Sequence, residues 1–410
     1  MKFETKAIHS GHHRDPRTGA TAISISQSAT FAYDTAEELA DVFAGKKFGY
    51  VYSRIANPTV AAFEQRVTEL ENGVGGIGFA SGMAAINATV LTLASAGDEL
   101  IASPNLFGGT LLLFKSVLAK CGITVVFVDP IDLKAVEAAI TPKTRGVFIE
   151  TIANPSLRLP NIKALAELCH AHHLPLVVDS TVTTPYLFPA KELGVDVVIH
   201  CATKYISGSG TISGGVVVDL GLFDWKTCKT PAIAERAKQF GKMAFLATAR
   251  KDVVIHIGAA LAPAHAQALM VGFESLALRM ERHCDNALAL AQFLATHPAV
   301  TAVNYPGLPD HPDFGLLASH VRGKGGGLLT FRLKDKAAAF ACINGLKLAS
   351  NAANLGDAKT LVIHAASTIY KDFTAEQMAE AGVDDTLIRV SVGIEHIDDI
   401  IADFQTALGA

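Results

Sequence analysis

The sequence predicts an α/β protein built around a doubly wound, mostly parallel sheet of about seven strands, followed by a smaller α+β domain. Short runs of apolar, β-branched residues recur at regular intervals between residues 76 and 219. Helical patterns, such as residues 109–120 and 162–172, separate most of these runs. Of the 410 residues, 50% are hydrophobic and 18% are charged, which is typical of a chain with a large core and a buried subunit interface.

Charge and cysteine content narrow the class of protein. The formal net charge is −4 and no basic run occurs, so nucleic acid is not expected as a partner. The six cysteines are scattered without metal-ligand spacing, which predicts a reducing compartment and no metal site. The first residues lack an apolar signal core, and no apolar stretch is long enough to span a bilayer. We therefore expect a cytoplasmic enzyme that does not insert into membranes.

Residues 1–59 hold few periodic patterns and are punctuated by glycine, serine and threonine. A long irregular segment in a compact protein needs a function, and we expect an N-terminal arm that contacts a neighbouring subunit. The arm ends in a run that contains Tyr52 and Arg54. Arginine binds phosphate through paired hydrogen bonds and keeps its charge. Tyr52 and Arg54 are therefore candidates for binding a cofactor phosphate, with a solvated surface turn as the alternative.

Residues 60–254 are expected to form the cofactor-binding domain, beginning with a helix over residues 60–70. Residues 73–78 spell G-x-G-x-x-G, but a dinucleotide motif must follow a strand and open a helix. Here the glycines follow a helix and lead into a strand over residues 76–80, so we do not expect a dinucleotide. Gly82 and Met83 come next and open a helix over residues 84–94. The free amides at a helix start bind phosphate, although a plain strand-to-helix turn has the same pattern.

Six further strands follow this helix, and two strand ends carry candidate side chains. The predicted strands are residues 99–102, 124–128, 146–150, 174–179, 195–200 and 215–219. The last follows its predecessor without a helix, so it is expected to run antiparallel. Phe107 stands where an aromatic ring stacks on a planar cofactor, with a core position as the alternative. Asn154 places an amide at the same edge, and Asn before Pro is also an ordinary turn signal.

The strongest chemical signal is the pair Asp179 and Lys204. One apolar run ends in Asp179, and the next leads through Thr203 into Lys204 and a glycine-rich loop. In open α/β sheets the site lies beyond such strand ends. A lysine amine forms an imine with the aldehyde of pyridoxal phosphate, and a carboxylate keeps the ring nitrogen protonated. Taken singly, Asp179 is typical of a turn cap and Lys204 of a solvated loop. Together they predict a pyridoxal-phosphate site.

Residues 255–410 are expected to form the smaller domain. A helix is predicted over residues 269–294, and strands over residues 326–333, 359–363 and 386–392. Arg389 stands in the last of these, which is otherwise apolar. Burying a charge is costly unless it is paired. A substrate carboxylate is the expected partner of Arg389, and an internal salt bridge is the alternative.

At these positions the chain resembles the pyridoxal-phosphate enzymes of cysteine and methionine metabolism. That family includes cystathionine γ-synthase, the cystathionine lyases, methionine γ-lyase and the O-acylhomoserine sulfhydrylases. The resemblance covers nearly the whole chain. Its motifs are Tyr52-Ser53-Arg54, Ala80-Ser81-Gly82-Met83, Asn154-Pro155 and Ala202-Thr203-Lys204-Tyr205. It implies fold type I and a homotetramer of active dimers, in which Tyr52 and Arg54 complete the site of the other chain.

The resemblance also implies a role for each candidate. Lys204 would form the imine, Asp179 would meet the pyridinium, Asn154 would lie near the ring hydroxyl and Arg389 would bind the substrate carboxylate. Gly82, Met83 and Thr203 would hold the phosphate. Three positions differ from the family pattern, and at one of them Ser26 stands where the family's Pro-Ile-Tyr-Gln has its tyrosine. Phe107 replaces a common tyrosine and keeps the stacking without the proton, and Cys201 replaces a phosphate-binding serine with a weaker donor.

Within the family, residues 354–361 and 364–368 most resemble the O-acetylhomoserine sulfhydrylases, and methionine γ-lyases usually have a cysteine where Gly109 stands. We predict γ-replacement on O-acetyl-L-homoserine by sulfide or a small thiol, giving homocysteine or methionine plus acetate. Arg389, Asn354 and Tyr52 are expected to bind the substrate. A methionine or cystathionine γ-lyase that releases 2-oxobutanoate, ammonia and a thiol is the alternative. The presence of Lys204 and Asp179 argues against a non-catalytic relative. The sequence does not choose between an acetyl and a succinyl donor, or between sulfide and methanethiol.

Overall fold

Two β-sheets organise the chain in the computed structural model, which describes residues 1–12, 14–16 and 18–409. The larger sheet has seven strands, namely β1 (Gly75–Phe79), β2 (Glu99–Ala102), β3 (Thr124–Phe127), β4 (Thr144–Glu150), β5 (Leu176–Asp179), β6 (Val197–His200) and β7 (Gly215–Asp219). Their order is β1-β7-β6-β5-β4-β2-β3. Strand β7 is antiparallel to both neighbours and the other pairs are parallel. This confirms the predicted sheet and the reversal of its last strand.

Helices cover both faces of this sheet and surround the second one. The α-helices are α1 (Phe3–His9), α2 (Ala36–Phe43), α3 (Pro58–Leu70), α4 (Gly82–Leu93), α5 (Gly108–Leu112), α6 (Leu133–Ala138), α7 (Ile162–Ala171), α8 (Thr184–Leu187), α9 (Pro231–Phe240), α10 (Ala244–Thr248), α11 (Ile255–Ile257), α12 (Pro263–Glu274), α13 (Leu276–Thr296), α14 (Leu317–His320), α15 (Lys336–Gly345), α16 (Ala375–Glu380) and α17 (Ile397–Leu408). Short 3₁₀ or π turns lie at Leu113–Leu118, Trp225–Thr227, Gly241–Met243, Ala249–Val254 and Phe314–Leu316. In the described ranges, no helix combines the length and apolar character that crossing a membrane requires.

The central strands are apolar throughout because both faces of the sheet are covered. Val177 and Val197 belong to the core on one face, whereas Val178 and Val198 belong to the core on the other. Successive side chains of a strand point to opposite faces, so a strand buried on both sides has no alternating pattern. A polar residue that ends such a run therefore marks the open edge of the sheet.

The second sheet lies in the carboxyl-terminal part of the chain. Its strands are β8 (Ala302–Asn304), β9 (Leu328–Arg332), β10 (Ser350–Asn351), β11 (Leu361–His364) and β12 (Leu387–Ser391), in the order β10-β11-β12-β9-β8. The three inner strands are those that the sequence predicts. The outer strands β8 and β10 have three and two residues; β8 is partly buried and β10 is exposed, so neither leaves a clear apolar signal.

The helix predicted over residues 269–294 is two helices that meet at Ser275. Helix α12 ends at Glu274 and α13 begins at Leu276. The guanidinium of Arg279 donates to the Gly272 carbonyl at 2.6 Å and to the Ser275 hydroxyl at 3.1 Å. The break is thus held by a polar side chain, which leaves the apolar period of the sequence unchanged, so the period alone predicts one continuous helix.

The N-terminal segment contains two helices that its sparse pattern does not reveal. The guanidinium of Arg66 in α3 donates to the carbonyls of Ile8, Ser10 and Met270 at 2.8–2.9 Å, so α1 is fixed to its own chain. Helix α2 has no buried residue. Its last residue, Phe43, is 70% exposed, and the nearby Phe48 is 83% exposed. Large apolar side chains in this state are typical of a surface that another chain covers.

Candidate active site

A cavity of about 230 Å³ lies at the carboxyl ends of β4, β5 and β6, where the second sheet approaches the first. It collects ten of the twelve residues predicted from the sequence: Lys204, Asp179, Phe107, Gly82, Met83, Thr203, Cys201, Asn154, Asn354 and Arg389. They come from both sheets and from the helix starts between them. Asp179 and Lys204 therefore lie in one site, as predicted from two strand ends.

Tyr52 and Arg54 do not line this cavity in their own chain. Arg54 donates to the Ile255 carbonyl, and its guanidinium carbon lies 5.3 Å from the centre of the Tyr52 ring. Tyr52 is 41% exposed. One chain thus presents this pair on its surface rather than to its own site.

The start of α4 forms one end of the cavity. Ser81 caps the helix by accepting from the Ala84 amide at 3.2 Å, and the first amides of a helix have no partner within it. A side-chain carbon at Gly82 would lie 2.6 Å from Cβ and 2.8 Å from Sγ of Cys201. Glycine is therefore required for this close approach. The result is a cradle of backbone amides facing a thiol, which suits a phosphate.

The Thr203 hydroxyl, which the sequence suggests as a phosphate donor, already bonds to the backbone of its own loop. It accepts from the Gly214 amide at 3.0 Å and lies 3.3 Å from the Gly214 carbonyl oxygen. Both contacts close the loop that follows β6. The hydroxyl lines the cavity, but its bonds already fix the backbone around Lys204.

Asp179 ends β5 and is buried. Its Oδ1 accepts from the Thr181 amide at 2.9 Å. Burial raises the pKa of Asp179, while the hydrogen bonds from Thr181 and the nearby His200 act to lower it. His200 Nε2 lies 2.6 Å from Glu71 Oε1, and both side chains are buried. A cationic ring nitrogen beside Asp179 would favour the ionised carboxylate further.

The Lys204 amine donates to Asn354 Oδ1 at 2.5 Å. Burial lowers the pKa of Lys204; Cys201 raises it and Arg389 lowers it. Arg279 holds the loop after Lys204, because its guanidinium donates to the carbonyls of Tyr205 at 2.5 Å and Ile206 at 3.3 Å. A lysine with a lowered pKa is able to act as a base near neutral pH.

Arg389 stands in the middle of β12 and is only 3% exposed. It donates to Asn154 Oδ1 at 3.2 Å and to the Asn354 carbonyl at 2.9 Å, while its Nε has no hydrogen-bond partner. Burial lowers the pKa of Arg389 to about 10. In the part of the chain that the structure describes, Arg389 makes no ion pair, so the internal salt bridge considered above is not found. A buried guanidinium with an unused donor in a cavity suits a carboxylate ligand.

Glu150 is a site residue that the sequence reasoning missed. It ends β4 and pairs in register with Asp179 on β5. Its Oε1 accepts from the Phe107 amide at 2.6 Å, and its Oε2 accepts from the Asn154 amide at 3.2 Å. The signal that identified Asp179, a charged residue ending a buried apolar run, also applies to Glu150.

The donor set fits pyridoxal phosphate. The cradle at Gly82 offers amides for a phosphate, Asp179 offers a carboxylate for a ring nitrogen, and Lys204 offers an amine for an aldehyde. The orphaned Nε of Arg389 adds a place for an amino-acid carboxylate. In residues 1–12, 14–16 and 18–409, no group of three or more His, Cys, Asp or Glu side chains is placed to hold a metal ion.

Chemistry of this kind, in which an amine and a carboxylate share one small planar ring, is that of the pyridoxal-phosphate enzymes of fold type I. The family model for "Cys/Met metabolism PLP-dependent enzyme" matches residues 4–409. The chain belongs to this family, and pyridoxal phosphate is its cofactor.

Characterised relatives cover almost the whole chain. An O-acetyl-L-homoserine sulfhydrylase of Corynebacterium glutamicum is 41% identical over 100% of this chain and 97% of its own length. An L-methionine gamma-lyase of Pseudomonas putida is also 41% identical, over 100% and 97%. A crystal structure from Campylobacter jejuni, described as an O-acetylhomoserine (thiol)-lyase, carries N'-pyridoxyl-lysine-5'-monophosphate. It is 32% identical and covers 100% of both chains with a TM-score of 0.95.

Proposed function

We propose that the chain catalyses γ-replacement on O-acetyl-L-homoserine, with sulfide or a small thiol as nucleophile, to give homocysteine or methionine plus acetate. Sulfhydrylases and methionine γ-lyases are equally similar to the chain, so overall identity does not choose between them. The residues of the site must therefore distinguish γ-replacement from γ-elimination.

The observation that carries the proposal is that Phe107 faces the cavity without a hydroxyl. A carboxylic acid has a pKa of about 4 and a thiol a pKa of about 8.5. Acetate therefore leaves without a proton donor far more readily than a thiolate does. An aromatic ring that stacks but donates no proton suits an acyl ester better than a thioether. The resemblance of residues 354–361 to the O-acetylhomoserine sulfhydrylases supports the same branch, and Asn354 of this stretch contacts Lys204 in the site.

Different residues of the chain would bind the cofactor, bind the substrate and transfer protons. When it is bound, pyridoxal phosphate supplies a ring that accepts electrons from the reacting carbon. Gly82, Met83, Cys201 and Thr203 would hold its phosphate, and Asp179 would keep a proton on its ring nitrogen. Arg389 would hold the substrate carboxylate. The Lys204 amine, once free, would carry a proton between the α and β carbons, because burial lowers its pKa.

A second copy of the chain would complete the site. We infer that Tyr52 and Arg54 reach the cavity of another chain, because they lie on the surface of their own. The exposed Phe43 and Phe48 support an arm over residues 1–59 that contacts this partner. We propose a homotetramer of such dimers, with residues 60–254 as the cofactor domain and 255–410 as the smaller domain. All six cysteines are free, which supports a reducing, cytoplasmic setting.

The test supplies the purified holoenzyme with O-acetyl-L-homoserine and sulfide, and separately with methionine alone. We expect homocysteine and acetate from the first mixture, with kcat/KM at least about tenfold above that for release of 2-oxobutanoate from methionine. Parallel assays with O-succinyl-L-homoserine and with methanethiol measure the preferred donor and nucleophile. Rapid 2-oxobutanoate release without turnover of the acetyl ester would favour the γ-lyase instead.

The lysine assignment has its own test. Borohydride reduction followed by peptide mass spectrometry should find the cofactor attached to Lys204. In Lys204→Ala the attachment and both activities should be lost while bound cofactor remains measurable. Attachment at another lysine would reject the assignment whichever substrate the enzyme prefers.

A further inference from the structure

We propose that Glu150 is a positioning residue that joins the segment carrying Phe107 to the segment carrying Asn154, and so sets how the ring of the cofactor is gripped. The inference rests on the proposed roles of Phe107 and Asn154 in the site. It does not depend on which amino acid is the preferred substrate.

The geometry places one carboxylate between two parts of the site. Glu150 is buried at the end of β4. Its two oxygens are used separately: Oε1 accepts from the Phe107 amide at 2.6 Å and Oε2 from the Asn154 amide at 3.2 Å. Phe107 lies 43 positions from Glu150 and Asn154 lies four positions from it. A side chain with two acceptors is needed to hold both amides at once.

Each of the two amides belongs to a residue that faces the cavity. Phe107 is the residue before α5 and makes no side-chain capping hydrogen bond. The bond from its backbone amide to Glu150 therefore fixes the backbone position from which the ring extends. The Asn154 side chain accepts from Arg389 Nη1 at 3.2 Å. Glu150 therefore connects the aromatic ring, the amide and, through that amide, the guanidinium that would bind substrate.

The surroundings of Glu150 change the pKa of its carboxyl group. Asp179 is its register neighbour on β5. Burial, followed by the charge of Asp179, raises the pKa of Glu150 to about 8, and the two backbone amides oppose this rise. Two buried carboxyls at adjacent strand ends repel each other. Retaining a carboxyl here, rather than an apolar side chain, is consistent with a role that needs both oxygens.

The test compares Glu150→Gln with the wild type. Glutamine keeps the shape but has one acceptor oxygen and one NH₂ group, so one of the two amides loses its acceptor. Misplacement of a ring-contacting group costs up to about 100-fold in rate. We expect kcat to fall about 10- to 100-fold, with a smaller change in KM, and the visible circular dichroism of the bound cofactor to change.

Glu99→Gln is the matched control. Glu99 lies at the opposite end of the sheet, where β2 begins, and its carboxylate accepts from the Thr141 hydroxyl at 2.6 Å. The same substitution there should leave the cofactor dichroism and kcat unchanged. Phe107→Leu provides a second check, because Glu150→Gln should add little to its effect if both act through the same ring.

The inference fails if Glu150→Gln retains the wild-type dichroism and kcat, or if its effect adds fully both to that of Phe107→Leu and to that of Asn154→Ala. If Glu150→Gln does not fold, Glu150→Asp replaces it. Aspartate keeps the carboxyl group but is one methylene shorter, so it cannot reach both amides. Wild-type dichroism in Glu150→Asp would equally reject the proposal. The dichroism is read without substrate, so a wrong substrate assignment would not alter this result.

Discussion

The Lys204 amine and the Asn354 side-chain oxygen lie 2.5 Å apart, although 150 positions separate them in the sequence. Lys204 follows the end of β6 in the first sheet, whereas Asn354 lies between β10 and β11 of the second. The bond therefore connects the two sheets across the cavity. After the larger effect of burial, Arg389 on β12 of the second sheet also lowers the pKa of this amine.

Changing Asn354 should shift the pH dependence of the reaction in two opposite directions. Asn354→Asp places a negative charge beside the amine, which raises its pKa against the lowering effects of burial and Arg389. The rising limb of kcat against pH should then move to higher pH. Asn354→Ala removes an acceptor from the charged form, so the limb should move to lower pH. Steady-state kcat across the pH range measures both shifts. Movement of both variants in the same direction would contradict this account, and the exposed Asn351→Asp is the control.

The thiol of Cys201 should weaken the grip on the cofactor phosphate. A hydroxyl is a stronger donor than a thiol, and one hydrogen bond is worth about 0.5–1.5 kcal/mol, or about 2- to 12-fold in affinity. We therefore expect Cys201→Ser to lower the dissociation constant of pyridoxal phosphate by that factor in titrations of the apoenzyme. Cys121→Ser, at an exposed cysteine, should have no effect.

Gly82→Ala should act in the opposite direction to Cys201→Ser. The added methyl group would lie 2.6 Å from Cys201 Cβ, so the helix start must move away from the loop. The same apoenzyme titration should show weaker binding. Unchanged affinity in Gly82→Ala would argue against a phosphate at this helix start.

Gly109 should determine where the Phe107 ring lies. A side-chain carbon at Gly109 would be 2.6 Å from Cε1 of that ring, so Gly109→Ala must rotate the ring. Loss of an aromatic contact costs about 0.5–1.5 kcal/mol, and we expect kcat/KM for O-acetyl-L-homoserine to fall about 2- to 12-fold. Gly315→Ala, at a glycine with open space around it, is the matched control. Equal effects of the two variants would show that Gly109→Ala does not act through the Phe107 ring.

His170 should make stability depend on pH. Its Nε2 lies 3.0 Å from both oxygens of the buried Asp196, and this hydrogen bond is the main cause that raises the pKa of His170 above 6.5. A raised pKa in the folded state means that the stabilisation is complete below the unfolded value and is lost as pH rises through the folded value. The difference in Tm between wild type and His170→Gln should therefore be largest near pH 6 and shrink toward alkaline pH. A constant difference would show that the charge of His170 contributes nothing.

Much of the architecture could be predicted from local patterns. The strands of the first sheet appear as apolar runs because both faces are buried, and the reversal of β7 follows from the missing helix before it. The two helices of the N-terminal segment could not be predicted in this way. Helix α2 is only eight residues long, and its apolar residues Leu39 and Phe43 are exposed rather than packed in the core of this chain. Helix α1 is held by Arg66, whose acceptors are backbone carbonyls without a sequence signature.

The sequence by itself determined the chemistry. Asp179 ends one buried apolar run and Lys204 follows another, and a polar residue at the end of such a run lies at the edge of the sheet. Arg389 was also evident, because a charge in an apolar strand demands a partner. Only the tertiary structure decided which groups act on one another. Asn354 reaches Lys204, Glu150 holds the Phe107 backbone, and Arg279 holds the loop after Lys204. These contacts join residues far apart in the chain, and hydrogen bonds to backbone groups impose no residue pattern on the partner segment. Packing of one sheet against the other, rather than any local motif, brings them together.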